Sequence, residues 1–351
     1  MGSEESEVKL SKRWNAALQS VEVCDARGVH VRSHRKPSLR KALVLVALFA
    51  VLAGTAPMAS ATKVGVVLAG SVQVFWQTMT KGIQRAALDL HVDLVMRNPS
   101  DGASLGTERN VQLRMIDYMV QSGVAGIVLA PEPLEDVATP VSISVPTVLI
   151  DRSSTDYKAI STVTTDNFAA GRTAALSLAP VLHKGAKIAV LRLAPNISST
   201  TERENGFLAV AREMGWEVVV EAYVGYRFHE TQEGVLKALN GYVGHLDAVF
   251  APNETTADGA LRVIEAMPAG DRPHLVVFDW RPEFLDALKR GVVYADVVQD
   301  PYRMGYLALE TLVADLQGHP SRPRVFVDVV TVTQANMNDR AIRAVLVHYA
   351  Q

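Results

Sequence analysis

The sequence has little cysteine and few aromatic residues: Cys24 is the only cysteine in 351 residues, and aromatic residues make up 6% of the chain. A single thiol cannot form an internal disulfide, and Cys24 lies in an N-terminal region unlike the rest. The histidines show no pair at zinc-ligand spacing. There is also no glycine-rich phosphate loop and no dinucleotide-binding glycine motif after a strand. We therefore expect neither a metal nor a cofactor.

A long hydrophobic run is also missing near the N-terminus, where the apolar stretch Ala42–Ala53 is shorter than the ~20 residues of a membrane span. Basic residues precede this stretch, and the small triplet Ala59–Ala61 follows it. This pattern predicts a secretory signal peptide cleaved after Ala61, and hence a periplasmic protein. A membrane anchor is the alternative. Residues 1–31 show neither helical nor strand periodicity, and we leave them out of the fold.

The charge balance from Thr62 onward is mildly acidic, with 26 basic and 32 acidic residues and a net charge of −6. Proteins that bind nucleic acid concentrate Lys and Arg. We therefore expect no nucleic-acid partner.

From Lys63 onward, runs rich in Val, Ile and Leu alternate with amphipathic segments. KVGVVLAG, GIVLAP and VPTVLIDR are typical of buried strands, and FWQTMTKGIQRAALDL has helical spacing. The same order returns after Asp166, although no sequence repeat is detectable. The alternation predicts an α/β fold of two similar doubly wound parallel-sheet domains.

Polar or aromatic side chains follow strand after strand in this pattern. Ligands of doubly wound sheets bind outside the carboxyl ends of the strands. Asp, Arg, Asn and Gln can grip vicinal hydroxyls, and aromatic rings can cover the apolar face of a sugar. The candidate ligand-binding residues are Gln73, Phe75, Trp76, Asp151, Arg152, Arg203, Asn253, Asp279, Trp280 and Gln299.

Each candidate also has a structural interpretation. Asn253 could be a helix cap, Asp151 a loop acid, and Phe75 and Trp76 ordinary core. For Asp166 and Asn167, which precede a helix, capping and hinge geometry is the preferred interpretation.

In order along the chain, these motifs resemble the ribose-binding type of periplasmic sugar-binding proteins of ABC transporters. The resemblance is carried by FWQTMTKGIQRAA, VPTVLIDR, TTDNFAAGRTAA, RENGF, AVFAPNETTADGALRVIEA, VVFDWRPEFLDALKRG and ADVVQDPYRMGYLALET. It implies a monosaccharide or polyol held between two lobes that are joined by a three-segment hinge and close like a clamp. It also implies a monomer that delivers its ligand to a membrane permease and is not an enzyme.

The resemblance also implies residue roles and segment boundaries. Phe75 and Trp76 would stack on the sugar, and Gln299 would lie at the last hinge strand. We expect the extension and signal peptide over residues 1–61. The N-terminal lobe would take 62–165 and 299–328, and the C-terminal lobe 166–298 with the final crossover and end of the chain over 329–351.

Several positions depart from the family pattern and leave the identity of the sugar open. Gln73-Val74 stands where Asn-Pro is usual, Glu254 where Asp is common, and Trp280 where glycine is frequent. Trp280 would either cover a sugar face or narrow the pocket. For the second-lobe aromatic, Phe228 and His229 are both candidates.

Three other functions compete with transport. A sensory receptor of the same fold would present its ligand to a membrane kinase or chemoreceptor. A transcription regulator would need an N-terminal helix-turn-helix where this chain has the signal-peptide pattern. An enzyme would use Asp151 and Asp279 as paired acids, but we expect these to bind hydroxyls and guanidinium groups instead.

Overall fold

The computed structural model describes residues 61–98, 111–134 and 139–350. The predicted signal peptide and Cys24 lie outside the described residues. No helix within these three stretches is long and apolar enough to cross a membrane.

The N-lobe is built on a sheet of six parallel strands. In spatial order they are β11 (Arg324–Phe326), β5 (Ser161–Thr164), β4 (Thr147–Ile150), β3 (Gly126–Leu129), β1 (Thr62–Val67) and β2 (Val92–Met96). Its helices are α1 (Val74–Leu90), α2 (Val111–Gln121) and α8 (Pro301–Leu316). Strands β3, β4 and β5 are buried along their whole length, as expected for a parallel sheet covered on both faces.

The C-lobe repeats this arrangement with a second six-stranded sheet. In spatial order its strands are β12 (Val330–Thr333), β10 (Val293–Val298), β9 (His274–Phe278), β8 (Ala248–Phe250), β6 (Lys187–Arg192) and β7 (Glu217–Tyr223). Only the edge strand β12 runs antiparallel to its neighbour. Its helices are α3 (Asn167–Leu176), α4 (Ser198–Met214), α5 (Phe228–Leu239), α6 (Glu254–Glu265), α7 (Pro282–Lys289) and α9 (Arg340–Ala350), with a short 3-10 turn at Ala269–Asp271.

The chain passes between the two sheets three times. It leaves the N-lobe between β5 and α3, returns between β10 and α8, and leaves again between β11 and β12. The predicted fold class, two similar doubly wound domains joined by three chain segments, is confirmed.

Sequence periodicity explains how the helices cover the sheets. In α1 the buried side chains recur at intervals of three to four residues, as in Phe75, Met79, Ile83 and Ala86. This spacing places them on one face, where they pack against strand β1 and helix α8 in the N-lobe core. The helices cover the faces of the sheets and leave the loops at the carboxyl ends of the strands uncovered. These loops form the site.

Candidate functional site

A cavity lies between the two lobes, and residues that follow the carboxyl ends of strands in both sheets form its walls. The N-lobe contributes Ala69, Gln73, Phe75, Trp76, Glu132, Asp151 and Arg152. The C-lobe contributes Leu193, Ile197, Ser199, Thr200, Arg203, Tyr226, Asn253, Glu254, Thr255 and Asp279, and Gln299 joins them from the second crossing. Nine of the ten predicted residues therefore meet at one cavity, and Trp280 does not.

Asp151 and Asp279 occupy equivalent places in the two lobes. Each directly follows the third strand of its sheet, and each has a positive φ, 66° for Asp151 and 71° for Asp279. Residues other than glycine adopt this conformation at an energetic cost, and such strain clusters at functional sites. Both side chains are buried, so the two strained turns place one carboxylate from each lobe at the cavity.

Each aspartate lies beside an arginine. Asp151 Oδ2 is 3.4 Å from Arg152 Nε, and Asp279 Oδ2 is 3.9 Å from Arg203 Nη1. Burial raises the pKa of both aspartates, and the neighbouring guanidinium groups partly offset this rise. Burial likewise lowers the pKa of Arg203. The cavity therefore offers an acceptor and a donor from each lobe.

Arg203 is held in place by a fixed set of contacts. Its Nε donates to Asn167 Oδ1 at 2.8 Å, its Nη1 donates to the carbonyl oxygen of Pro252 at 2.9 Å, and its guanidinium lies 4.0 Å from the centre of the Phe278 ring. These contacts fix the orientation of the guanidinium without using all of its five N–H donors.

Gln299 directly follows strand β10, and its side chain connects the first crossing to the site. Its Nε2 donates to Asp279 Oδ1 at 2.7 Å, and its Oε1 accepts from Thr165 Oγ1, on the first crossing, at 2.8 Å. Its carbonyl oxygen accepts from the hydroxyl of Tyr349 at 3.0 Å. The next residue, Asp300, caps α8 by accepting from the backbone N–H of Arg303 at 2.9 Å. A polar end to this strand thus serves both the hinge and the helix that follows.

Aromatic side chains cover part of both walls. Phe75 and Trp76 form an edge-to-face pair with ring centres 4.9 Å apart in the N-lobe. On the C-lobe wall the aromatic residue is Tyr226, which packs against Leu193 and Ile197. Sequence reasoning missed Tyr226, although it lies only two and three residues before the two candidates it considered.

Neither of those two candidates, Phe228 and His229, lines the cavity. Phe228 lies against Arg281, whose guanidinium is 5.1 Å from the ring centre. The side chain of His229 is 77% exposed. Helix α5 begins at Phe228, and its first turn directs both side chains elsewhere.

Trp280 is not among the residues that line the cavity, and its expected role of covering a sugar face or narrowing the pocket stays a prediction. It packs on Tyr349 of α9, with ring centres 5.2 Å apart, and on the apolar core of the C-lobe. Trp280 follows the left-handed turn at Asp279, where the chain has already left the extended geometry of strand β9.

Helix capping accounts for part of the polar set. Asp166 caps α3 by accepting from the backbone N–H of Ala169 at 3.0 Å, so the preferred capping interpretation of this residue is confirmed. Asn253 caps α6 through its Oδ1, which accepts from the backbone N–H of Thr256 at 3.2 Å. Asn253 also lines the cavity, so its two interpretations are compatible.

Beyond Tyr226, five polar wall residues were not predicted: Glu132, Ser199, Thr200, Glu254 and Thr255. Ser199 and Thr200 lie in the first turn of helix α4, which carries Arg203. Glu254 follows strand β8 closely, next to the predicted residue Asn253. The pKa of Glu254 is raised to about 8 because the carboxyl is buried.

Comparison with known proteins assigns the chain to a family. Residues 64–320 match the family model described as periplasmic binding protein domain. The chain is 31% identical to the ribose import binding protein RbsB of Bacillus subtilis over 251 residues, 70% of this chain and 78% of that protein. It is 24% identical to RbsB of Escherichia coli over 305 residues, covering 85% and 99% of the two chains.

Solved structures agree with this assignment. A carbohydrate transporter solute binding protein from Agrobacterium radiobacter, in complex with D-arabinose, has a TM-score of 0.72 and 27% identity over 82% of this chain and 99% of that one. The periplasmic component of an ABC-type sugar transport system from Hahella chejuensis has a TM-score of 0.68 and 28% identity, covering 77% and 99%. The chain belongs to the periplasmic binding proteins of the ribose-binding type, an extracytoplasmic family of sugar-binding receptors for ABC transporters.

Proposed function

We propose that this periplasmic binding protein captures a monosaccharide or related polyol between its lobes and delivers it, unchanged, to the permease of an ABC transporter. The observation that carries the proposal is the Asp–Arg pair from each lobe at one cavity. Carboxylates accept from sugar hydroxyls and guanidinium groups donate to them. A ligand that uses both pairs bridges the lobes.

Unused hydrogen-bonding capacity at the cavity supports this interpretation. Among the described residues, Arg152 Nη1 and Gln73 Oε1 are buried without a hydrogen-bond partner, and both residues line the cavity. Buried polar groups are normally satisfied. A polyhydroxylated ligand would supply the missing partners, while Phe75 and Trp76 would cover its apolar face.

The proposed mechanism is a shift of population from an open to a closed form in a monomer. Ligand contacts from both lobes exist only when the cleft is closed, so the ligand favours closure by its differential affinity. The relatives named for ribose and the neighbour bound to D-arabinose make pentoses the first compounds to test.

The test is calorimetry on residues 62–351 with a panel of pentoses, hexoses and polyols. The Asp151→Asn variant should weaken the best ligand by about ten- to a hundredfold, since a hydrogen bond to a charged group contributes roughly 1.5–3 kcal/mol. Asn tolerates the left-handed backbone, so the melting temperature should change little.

Asp93→Asn is the matched control, because Asp93 is exposed on strand β2 of the same lobe. It should bind as the unaltered protein does. A folded protein that binds nothing in the panel, or an Asp151→Asn variant with full affinity, would contradict the proposal.

A further inference from the structure

Helix α1 begins at the cleft without a cap from its own segment. The first amide groups of a helix have no partner within the helix and need an acceptor from elsewhere. The residue at the cap position, Gln73, makes no side-chain capping hydrogen bond, and the first turn contains no acidic residue. The helix carries Phe75 and Trp76, so its start is part of the cavity wall.

The acceptor for these amides comes from the opposite lobe. The backbone N–H of Val74 donates to Glu254 Oε1, and that of Phe75 donates to Glu254 Oε2, each at 3.1 Å. Glu254 is 2% exposed. Its own helix, α6, is already capped by Asn253. The carboxyl of Glu254 is thus free to cap a helix of the N-lobe from the C-lobe.

Glu254 is also connected to the C-lobe wall of the cavity. Its backbone N–H donates to Asp279 Oδ2 at 3.0 Å. On its other side Arg281 Nη1 lies 3.9 Å from Oε1, and Arg281 is in turn 3.5 Å from Asp258. Asp279 and Arg281 are the charged groups that face this carboxyl. The chain of contacts runs from a ligand-wall aspartate across the cleft to the amide of Phe75.

We propose that Glu254 is an interlobe latch that stabilises the closed cleft by capping helix α1, through contacts made by the protein alone. The two hydrogen bonds exist only when the lobes are together, since their donors and acceptors belong to different lobes. The latch therefore gives the ligand-free protein a closed population and slows ligand release. The effect on release rests on the proposed function; the effect on closure does not.

A second interlobe hydrogen bond lies away from the ligand. Ser198 Oγ donates to the carbonyl oxygen of Ser153 at 2.7 Å, and neither residue is on the cavity wall. Direct contacts between the two lobes across this cleft are therefore not confined to Glu254. Ser198→Ala breaks one of them without touching the site, and it provides an independent measure of how sensitive closure is to such bonds.

Three substitutions separate the ways in which Glu254 could act. Glu254→Ala removes both acceptors. Glu254→Asp keeps the carboxyl but is one methylene shorter, which takes the oxygens beyond hydrogen-bond distance of the two amides. Glu254→Gln keeps the reach but offers one acceptor oxygen in place of two. A latch requires reach, so the Asp variant should behave like the Ala variant.

Glu283→Ala is the matched control. Glu283 is a glutamate of the same lobe, it contacts the same Arg281 at 3.1 Å, and its side chain is 53% exposed. Removing it perturbs the charge around Arg281 without removing an acceptor from helix α1. Its closure and release rates should equal those of the unaltered protein.

The first readout is the ratio of closed to open molecules without ligand, measured by single-molecule Förster resonance energy transfer on residues 62–351. This stretch contains no cysteine, so labels at Asp117→Cys on α2 and Lys237→Cys on α5, both exposed, report on the two lobes. The closed-to-open ratio should fall about tenfold or more in Glu254→Ala and Glu254→Asp, less in Glu254→Gln and Ser198→Ala, and not in Glu283→Ala. An unchanged ratio in Glu254→Ala and Glu254→Asp would overturn the proposal.

The second readout is stopped-flow kinetics with the best sugar of the panel. The dissociation rate should rise about tenfold or more in Glu254→Ala and Glu254→Asp with little change in the association rate, because the latch forms after encounter. Full ligand-free closure in these variants with weaker binding would instead assign Glu254 to ligand contact. If no sugar binds, the proposed function fails, and the ligand-free ratio still decides the latch.

Discussion

Asp296 shows how burial sets the charge of a single carboxyl. It lies within strand β10, next to the edge strand of the C-lobe sheet. It is 1% exposed, and its Oδ1 has no hydrogen-bond partner among the described residues. Burial, and then the nearby charge of Asp279, raise its pKa well above the ordinary value of 3.8. A charged group this deep is costly unless it is paired, so folding favours the protonated form of Asp296.

The sign of the resulting pH dependence follows from the raised pKa. Above about pH 4 the unfolded chain releases this proton, whereas the folded protein retains it. Stability is therefore lost as pH rises from 4 towards the folded pKa, by up to about 1.4 kcal/mol per pH unit.

The Asp296→Asn variant should abolish this loss. It should match the unaltered protein near pH 4 and be more stable at pH 8. Urea unfolding at the two pH values measures the difference, with Asp93→Asn as the exposed control. If Asp296→Asn and the unaltered protein differ in unfolding free energy by the same amount at pH 4 and at pH 8, Asp296 does not change its protonation on unfolding.

At the scale of elements, two helix pairs are built on the same close contact. In the N-lobe α1 packs on α8, and in the C-lobe α3 packs on α4. A Cβ added to Gly82 would lie 1.9 Å from the carbonyl oxygen of Tyr302, and one added to Gly171 would lie 1.9 Å from that of Arg203. Only glycine allows the backbones to approach this closely. Each pair joins the helix that follows the first strand of a lobe, α1 or α4, to a helix that follows a crossing, α8 or α3.

Alanine at either glycine should therefore force its helix pair apart. We expect Gly82→Ala and Gly171→Ala each to destabilise the protein by about 1–3 kcal/mol, the usual cost of overpacking. Gly171→Ala should in addition weaken sugar binding, because the helix it displaces carries Arg203. Thermal melts and calorimetry measure the two effects.

Gly270→Ala is the control for both variants. A Cβ at Gly270 meets no atom within 4 Å, and the residue has no positive φ. It should leave stability and binding unchanged. If Gly82→Ala, Gly171→Ala and Gly270→Ala have the same melting temperature, the close approach of these helices does not contribute to stability.

At the scale of the whole molecule, closing the cleft buries Glu254 between the lobes. In the closed form burial raises its pKa to about 8; the amides of Phe75 and Val74 offset part of that rise, the charge of Asp279 adds to it, and Arg281 lowers it. Opening of the cleft would expose the carboxyl to water, and its pKa would then fall towards the ordinary value of 4.5. Closure is therefore accompanied by uptake of a proton at pH values between about 4.5 and about 8.

Sugar affinity should accordingly fall as pH rises from about 5 to 8. Asp151 and Asp279, whose pKa values are also raised by burial, contribute in the same direction. The Glu254→Gln variant should show a shallower fall, because one of the titrating groups is gone. Calorimetry at several pH values gives the slope of affinity against pH for the variant and for the unaltered protein. Equal slopes would exclude Glu254 as a source of the pH dependence.

Much of the fold was predictable because its signals are local. The Val/Ile/Leu runs and the amphipathic segments between them reflect the burial of each strand and each helix face, which neighbouring residues already encode. The same holds for Asp151, Arg152 and Asp279, which directly follow their strands. Topology then carries them to one edge of a sheet.

The choice between neighbouring side chains was not predictable in the same way. Trp280 comes directly after Asp279 at the end of strand β9, yet it joins the core. Tyr226 and Phe228 both follow strand β7, yet Tyr226 forms part of the wall and Phe228 does not. Which of two neighbouring side chains faces the cleft depends on the backbone conformation at that position. The pattern of hydrophobic residues does not encode this conformation.

By itself the sequence determined the two doubly wound lobes and most of the polar set between them, because strand ends and helix faces follow from short-range patterns. Only the tertiary structure decided that Glu254 reaches across the cleft to amides 180 and 179 residues away, and that Gln299 joins the first crossing to Asp279. These contacts depend on how the lobes meet. That geometry arises from packing the whole chain, and no local pattern records it.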